Sequence, residues 1–256
     1  MKHQHIIAIR RDYIYSLEAE QKDKDILVAV IQQLGGDIRM VDELKLTMED
    51  EADIYLSMGR HPATLALLRA CEKRGALVIN CPDAVELCAR KKVAQVMREN
   101  DIPMPPQRGK HGYWLKRGDS KAQLDSDVVY CKDENELAVR KEEWRQRGIC
   151  SSIESAHVEG DLIKFYGIGQ HFFKWFYRSI KTGGYDFDAN LLQTEAVRLA
   201  RIIGIDVYGG DCVVNREGEI SIIDFNDWPS FAACKEEAAQ AIAQLVKQKW
   251  EDLRNC

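Results

Sequence analysis

The amino-acid sequence predicts an α/β half followed by an α+β half, and three observations carry that reading. Strand and helix signals alternate regularly through the first eighty residues, the pattern of a parallel sheet covered by helices. Beyond the segment DIPMPP (101–106) the order changes to strand-like runs of antiparallel character with fewer helices between them. The 256 residues, 45% hydrophobic and 30% charged, make a globular chain long enough for one large domain or two ordinary ones.

The elements follow in order. His5–Arg10 is an isoleucine-rich strand. Residues 23–34 put Ile26, Leu27, Val30 and Leu34 on one helical face, and Gly35-Gly36 follows where a left-handed cap costs little. Asp37–Val41 and Ile54–Met58 are the next strands. Pro62 opens a helix with Leu65, Leu68 and Cys71 on its buried side, ending at Gly75, and Ala76–Asn80 is a fourth strand. A single long helix is expected from Asp83, as N-cap, to Asn100, with Val85, Val93 and Val96 among its apolar positions. Three prolines in four residues then forbid helix and mark a hinge or boundary. Strands are expected at 113–116, 127–131, 149–153, 162–169 and 172–177, with a charged helix at 133–147. A helix at 189–203, a hairpin at 211–224 and a helix at about 235–253 close the chain.

Charge excludes some functions. Lys and Arg total 36 against 41 Asp and Glu, so a net −5 has the wrong sign for coating nucleic acid or anionic membrane. No apolar run approaches the ~20 residues of a membrane span. The apolar stretch Ile6–Ile9 ends in Arg10-Arg11 and reads as a strand rather than a signal peptide, so a cytoplasmic protein is expected. The eight cysteines show no metal-finger spacing and are expected to be reduced and mostly buried.

Several chemistries drop out for want of a motif. There is no P-loop, no glycine fingerprint after the first strand, and no GxSxG or HExxH. What remains is Gly209-Gly210-Asp211, a hairpin, and then Asp224-Phe225-Asn226-Asp227-Trp228-Pro229. Asp224 and Asn226 are two apart on a strand and share a face, and Asp211 can lie opposite them. Two carboxylates and an amide suit a hard cation such as Mg²⁺, although Asp at a strand end is also common turn chemistry. Lys116 leaves an apolar strand as a loop begins, and Lys164 lies inside another. A lysine in such a run costs desolvation unless an anion meets it or it snorkels outward.

In this order the features resemble the ATP-grasp superfamily. The resemblance spans INCPDAVELCARKKVAQVMRENDIPMPP, the lysine strand WLK, the turn SIESAHVEGDLIK and the D…DxN strand pair, and so covers essentially the whole chain. It implies an ATP-grasp fold with an N-terminal α/β pre-domain at 1–82 and an ATP-grasp domain at 83–256, with subdomains near 105–157 and 158–256. ATP would lie between them. Lys116 and Lys164 would contact phosphates, joined by Arg90 or Lys91. The backbone from Ala156 to Val158 would meet adenine, and Glu159 or Asp161 the ribose. Asp211, Asp224 and Asn226 would hold Mg²⁺. The loop after Lys116, RGDSKAQ, has one glycine where the family has several, and D-x-N replaces the E-x-N of most family ligases. In that last respect the chain is more similar to inositol-phosphate kinases.

The function expected from this is an ATP- and Mg²⁺-dependent ligase that activates a small-molecule or peptide carboxylate as an acyl phosphate. A kinase using Lys174, Arg178 and Lys181, and a non-catalytic binding protein, are the alternatives, and a homo-oligomer is left open. Arg10, Arg11 and Arg60 follow strands at the end of an α/β sheet where ligands bind. Arg10 and Arg60 are the expected substrate contacts, with Arg11 a solvated surface residue. His111, His157 and His171 are expected to be structural or exposed.

Overall fold

The computed structural model describes residues 4–16, 19–35, 38–118, 124–178 and 183–255. Strands β1 (Ile6–Arg10), β2 (Arg39–Asp42), β3 (Ile54–Ser57) and β4 (Leu77–Ile79) form a wholly parallel sheet in the order β2-β1-β3-β4. Side chains alternate along β1. Ile6 and Ala8 join one core with α1 (Glu20–Leu34), while Ile7 and Ile9 join another with Leu68 and Cys71 of α2 (Pro62–Lys73). Gly35 ends α1 at φ +71°, and Gly36 lies outside the described residues.

The single helix expected at 83–100 is two helices. Pro82 takes the first position of α3 (Pro82–Leu87) with Cys81 as its cap, so Asp83 falls inside the first turn. The chain then breaks at Ala89, whose φ −57° and ψ 128° are extended, before α4 (Arg90–Glu99) begins. The break lets the Lys91 N–H donate to the Gly118 carbonyl, 3.0 Å away at the end of β5 (Tyr113–Arg117). Helix α4 therefore starts beside that strand, with Arg90, Lys91 and Lys92 in its first turn and no acidic residue there.

Strand β5 is central in an antiparallel sheet with β6 (Val128–Cys131) and β7 (Ser152–Ala156). One face packs on Leu137 and Trp144 of α5 (Glu134–Gln146). The strand expected at 149–153 starts only at Ser152, because residues 147–149 form the exit turn of α5, with Gly148 at φ +76°. A second antiparallel sheet has the order β11-β10-β8-β9, from β8 (Asp161–Ile168), β9 (Phe172–Tyr177), β10 (Val207–Val214) and β11 (Ile220–Asp227). Helix α6 (Ala189–Ile203) covers one face through Leu192, Ala196 and Leu199. Helix α7 (Lys235–Asn255) returns to the start of the chain, where Ala238, Ala239 and Ile242 share a core with Ile26, Leu27 and Val30 of α1.

The proline segment lies between the antiparallel sheets. The Pro103 carbonyl accepts from the Ile222 N–H and the Pro106 carbonyl from the Ala156 N–H, each at 2.8 Å. Asn80 ties the parallel sheet to β10: its amide donates to the Val207 carbonyl at 2.8 Å, and its oxygen accepts from the N–H groups of Val207 and Asp206. The Val207 carbonyl keeps the Trp228 N–H at 2.9 Å, so Asn80→Ala strands the N–H groups of Val207 and Asp206, the first of them buried, and a loss of about 2 kcal/mol is expected in denaturant unfolding. A loss below about 1 kcal/mol would mean that water replaces the amide.

Candidate active site

Three neighbouring strands put Lys164, Asp211 and Asp224 in one row. Asp211 of β10 pairs with Lys164 of β8 on one side and with Asp224 of β11 on the other. Two glycines precede Asp211 because nothing larger fits at this approach: a Cβ on Gly210 would lie 2.2 Å from the Asp224 carbonyl oxygen. Immediately beyond, the register shifts, so that Asp211 faces Asp224 but Cys212 faces Ile222. The extra residue, Ile223, is a bulge. Its carbonyl accepts from Lys116 Nζ at 2.9 Å, reaching over from the other antiparallel sheet. Cys212 is fully buried in the α6 core and directed away from the acids, as strand alternation requires.

Charges converge here. Lys164 Nζ lies 3.3 Å and Arg178 Nη1 3.5 Å from Asp211 Oδ2, and Arg90 Nε lies 3.6 Å from Asp224 Oδ1. Asn226 Nδ2 donates to Asp224 Oδ2 at 2.9 Å, which leaves its amide oxygen for another partner. Burial pushes the Asp224 carboxyl up, but Arg90, Lys116, the Asn226 amide and Lys164 together bring it down to about 2. Burial likewise lowers Lys116, and Arg90 adds to the effect against Asp224 and Asp211.

Whether a metal fits is answered by the oxygens. Asp211 Oδ1 is buried without a hydrogen-bond partner, which is costly unless a cation or water meets it. No three His, Cys, Asp or Glu residues gather in a metal-sized group among the described residues; beside the two carboxylates, the Asn226 amide oxygen is the further oxygen within the row. Two carboxylates, one amide oxygen and no sulfur or imidazole suit a hard cation that keeps waters or phosphate oxygens as further ligands.

The other expected contacts divide. Arg60, Arg90, Lys91 and Asn226 line one cleft of about 590 Å³. Arg10 does not: its guanidinium holds Asp42 at 2.6 Å and Glu20 at 3.0 Å, and it lines a different hollow. The residue expected to be solvated, Arg11, is the buried one at 7% exposure, donating to the Trp228 carbonyl at 2.5 Å and lying 3.3 Å from Asp23. Asp161 is not open to a ribose, because it is buried and its two oxygens accept from the N–H groups of Gly183 and Tyr185. Glu159 is exposed beside His111, Ala156 is buried and Val158 half-buried. Lys174 is taken by Glu237 at 3.1 Å, and Lys181 and residues 119–123 lie outside the described residues.

Three residues of this region escaped sequence reasoning. Arg60 pairs with Asp227 at 2.6 Å, and both are nearly buried; burial draws the guanidinium down, and Asp227 more than offsets it. Glu43, 2% exposed, accepts from the N–H groups of Asp12, Arg60 and His61 at 2.5 to 2.7 Å, and so fixes the loops after β1 and β3. Trp114 shares a strand face with Lys116 and donates to His157 Nδ1 at 2.9 Å. Glu43 lies in no motif, and Asp227 and Trp114 sit within the segments DFNDWP and WLK without a role of their own there. Trp228 and Phe231 are fully buried in the α1–α7 core and pack behind the site. The seven described cysteines are free, and no helix is long and apolar enough to cross a membrane among the described residues.

These paired sheets, with lysines and acids facing each other beside a parallel-sheet unit, define the ATP-grasp fold. The structure is similar to D-cycloserine synthetase (TM-score 0.72, 13% identity, covering 96% of this chain and 99% of that one). It is similar also to the D-alanine-D-alanine ligase of Coxiella burnetii (TM-score 0.70, 12% identity, 98% and 96% covered). A RimK-domain ATP-grasp protein of Sphaerobacter thermophilus matches with TM-score 0.69 and 15% identity over 94% of this chain and 98% of that one. No protein-family model matches the sequence, and no curated protein matches it.

Proposed function

We propose that this chain is an ATP- and Mg²⁺-dependent ligase that joins a carboxylate to an amine-type nucleophile. One observation carries the reading: Lys116, Lys164 and Arg90 converge from three different elements on Asp211 and Asp224, with Asn226 alongside. Cations exceed acids at this point, which suits a polyanion arriving with a divalent metal. The likeness to ATP-grasp ligases, though distant in sequence, supports the same reading. The working division is residues 1–82 as pre-domain and 83–256 as the nucleotide-binding part.

ATP is the substrate whose γ-phosphoryl is transferred. Lys116, Lys164 and Arg90 hold its phosphates, Lys91 approaches from the α4 terminus, and the Ala156–Val158 backbone and Glu159 receive the nucleoside end. Asp211, Asp224 and Asn226 would hold Mg²⁺, which when bound neutralises phosphate charge. A substrate carboxylate oxygen forms a bond to the γ-phosphorus as the bond to ADP breaks. The amine then adds to the acyl carbon, loses a proton, and phosphate leaves. Positioning and charge neutralisation suffice, so no nucleophilic side chain is required of the chain. Arg60 stands at the cleft end nearest Asn226 and Asp227, where it orients the carboxylate.

The test is incubation with ATP, Mg²⁺ and pooled carboxylates and amines. Release of ADP and free phosphate with a condensed product is the expected result, whereas a product heavier by one phosphoryl group would make the protein a kinase. Lys116→Met should weaken ATP binding about tenfold or more in calorimetry, since a charge-assisted contact to phosphate contributes ~1.5–3 kcal/mol. Unchanged affinity would remove Lys116 from the phosphate site.

A further inference from the structure

We infer that the cleft beside β11 takes a compound with one carboxylate and an apolar side group; this inference rests on the ligase reading above. Charge is the first observation. Five cations line the cleft, and four already have acidic partners. Arg60 holds Asp227 at 2.6 Å, Arg69 holds Asp83 and Glu86, Lys92 reaches Glu86 at 2.7 Å, and Arg90 lies 3.6 Å from Asp224. Only Lys91 among them has no acidic partner within the described residues. A second polyanion would have to displace carboxylates from their arginines, whereas, with Lys91 turned to the ATP phosphates, a single carboxylate finds Arg60 Nε, buried without a hydrogen-bond partner, without doing so.

Shape is the second observation. Pro62 and Leu65, one turn apart on α2, and Val85 of α3 make an apolar wall within the same cleft that holds Arg60 and Asn226. Pro62 is exposed, while Leu65 and Val85 present only their edges. Arg69, which could have placed charge on this wall, is held off by Asp83 and Glu86. A volume of about 590 Å³ is in the range of small-ligand sites and holds an amino-acid-sized molecule beside a phosphoryl group. The carboxylate lies at the Arg60–Asn226 end, and the side group lies along the wall.

Calorimetry of the full chain, saturated with a non-hydrolysable ATP analogue and Mg²⁺, tests this. The probes are leucine and phenylalanine of both hands, aspartate, glutamate and inositol hexakisphosphate. Leucine or phenylalanine should bind about tenfold or more tighter than the acidic probes, the discrimination an apolar pocket supplies. Pro62→Lys, on an exposed position, should shift preference toward glutamate, and Leu65→Ala should weaken leucine binding. Both variants should keep the affinity for the ATP analogue, which also reports that they are folded. The inference is overturned if the acidic probes or the hexakisphosphate bind at least as tightly. It is also overturned if the preference survives both substitutions, or if no probe binds while the analogue does. Failure of the analogue itself to bind would instead remove the ligase reading on which the inference stands.

Discussion

Asp224→Asn should lower ATP turnover by ~100-fold or more while the protein still folds cooperatively, its melting temperature lower by roughly 5–10 °C because the cations around position 224 lose their counter-charge. The substitution is isosteric, so the Asn226 hydrogen bond and the strand register persist, and what disappears is one negative charge. That charge now sits between Arg90, Lys116 and Lys164, which bring its carboxyl down to about 2 against the opposing effect of burial. Without it the site becomes more positive. Nucleotide binding in the absence of Mg²⁺ should therefore hold or strengthen, while the enhancement by Mg²⁺ is lost. A residue with only a structural role would leave the Mg²⁺ dependence in place. Wild-type turnover in this variant would show that the metal assignment is wrong.

Glu43→Ala should cost about 3 kcal/mol of stability, lowering the melting temperature by roughly 6–12 °C. The side chain accepts three backbone N–H groups, from Asp12, Arg60 and His61, and is 2% exposed. Removing it leaves those donors unsatisfied beneath the sheet edge, each at ~1–3 kcal/mol before water enters the space. The same loops carry Arg11 and Arg60 against Asp227 and the Trp228 carbonyl, so the loss spreads to the cleft. Glu43→Gln keeps one accepting oxygen and should recover part of the stability. A melting temperature within about 2 °C of wild type would mean that Glu43 anchors nothing.

Much of the architecture was legible where neighbours in sequence decide it. The isoleucines of β1, the helical spacing of Leu65, Leu68 and Cys71, and the hairpin joining Asp211 to Asp224 are local patterns, and the structure has them where periodicity put them. The α3–α4 break was not legible, because what it gains is a hydrogen bond to Gly118, far along the chain. Periodicity alone runs through Cys88 and Ala89 without interruption. The bulge at Ile223 was hidden for the same reason: the Lys116 ammonium that satisfies its carbonyl comes from another sheet. The exchange of roles between Arg10 and Arg11 turned on Asp42 and Glu20 for one, and on Asp23 and Trp228 for the other. In each case the deciding partner lies outside the local pattern that the periodicity reads, ten residues or more along the chain.

Asn80 and Glu43 extend the point from fold to site. Each is a single polar residue whose side chain replaces several backbone partners, and each holds a loop or strand beside the cleft. A buried polar group of this kind is stabilising only when all its partners are present, so its importance appears only in three dimensions.

Binding of a non-hydrolysable ATP analogue, measured by calorimetry with and without Mg²⁺, tests the central claim most directly. The geometry of Lys116, Lys164, Arg90 and the Asp211–Asp224–Asn226 set predicts one site per chain, tightened by Mg²⁺ and weakened by Lys116→Met. Absence of binding, or binding indifferent to both Mg²⁺ and that substitution, would contradict it.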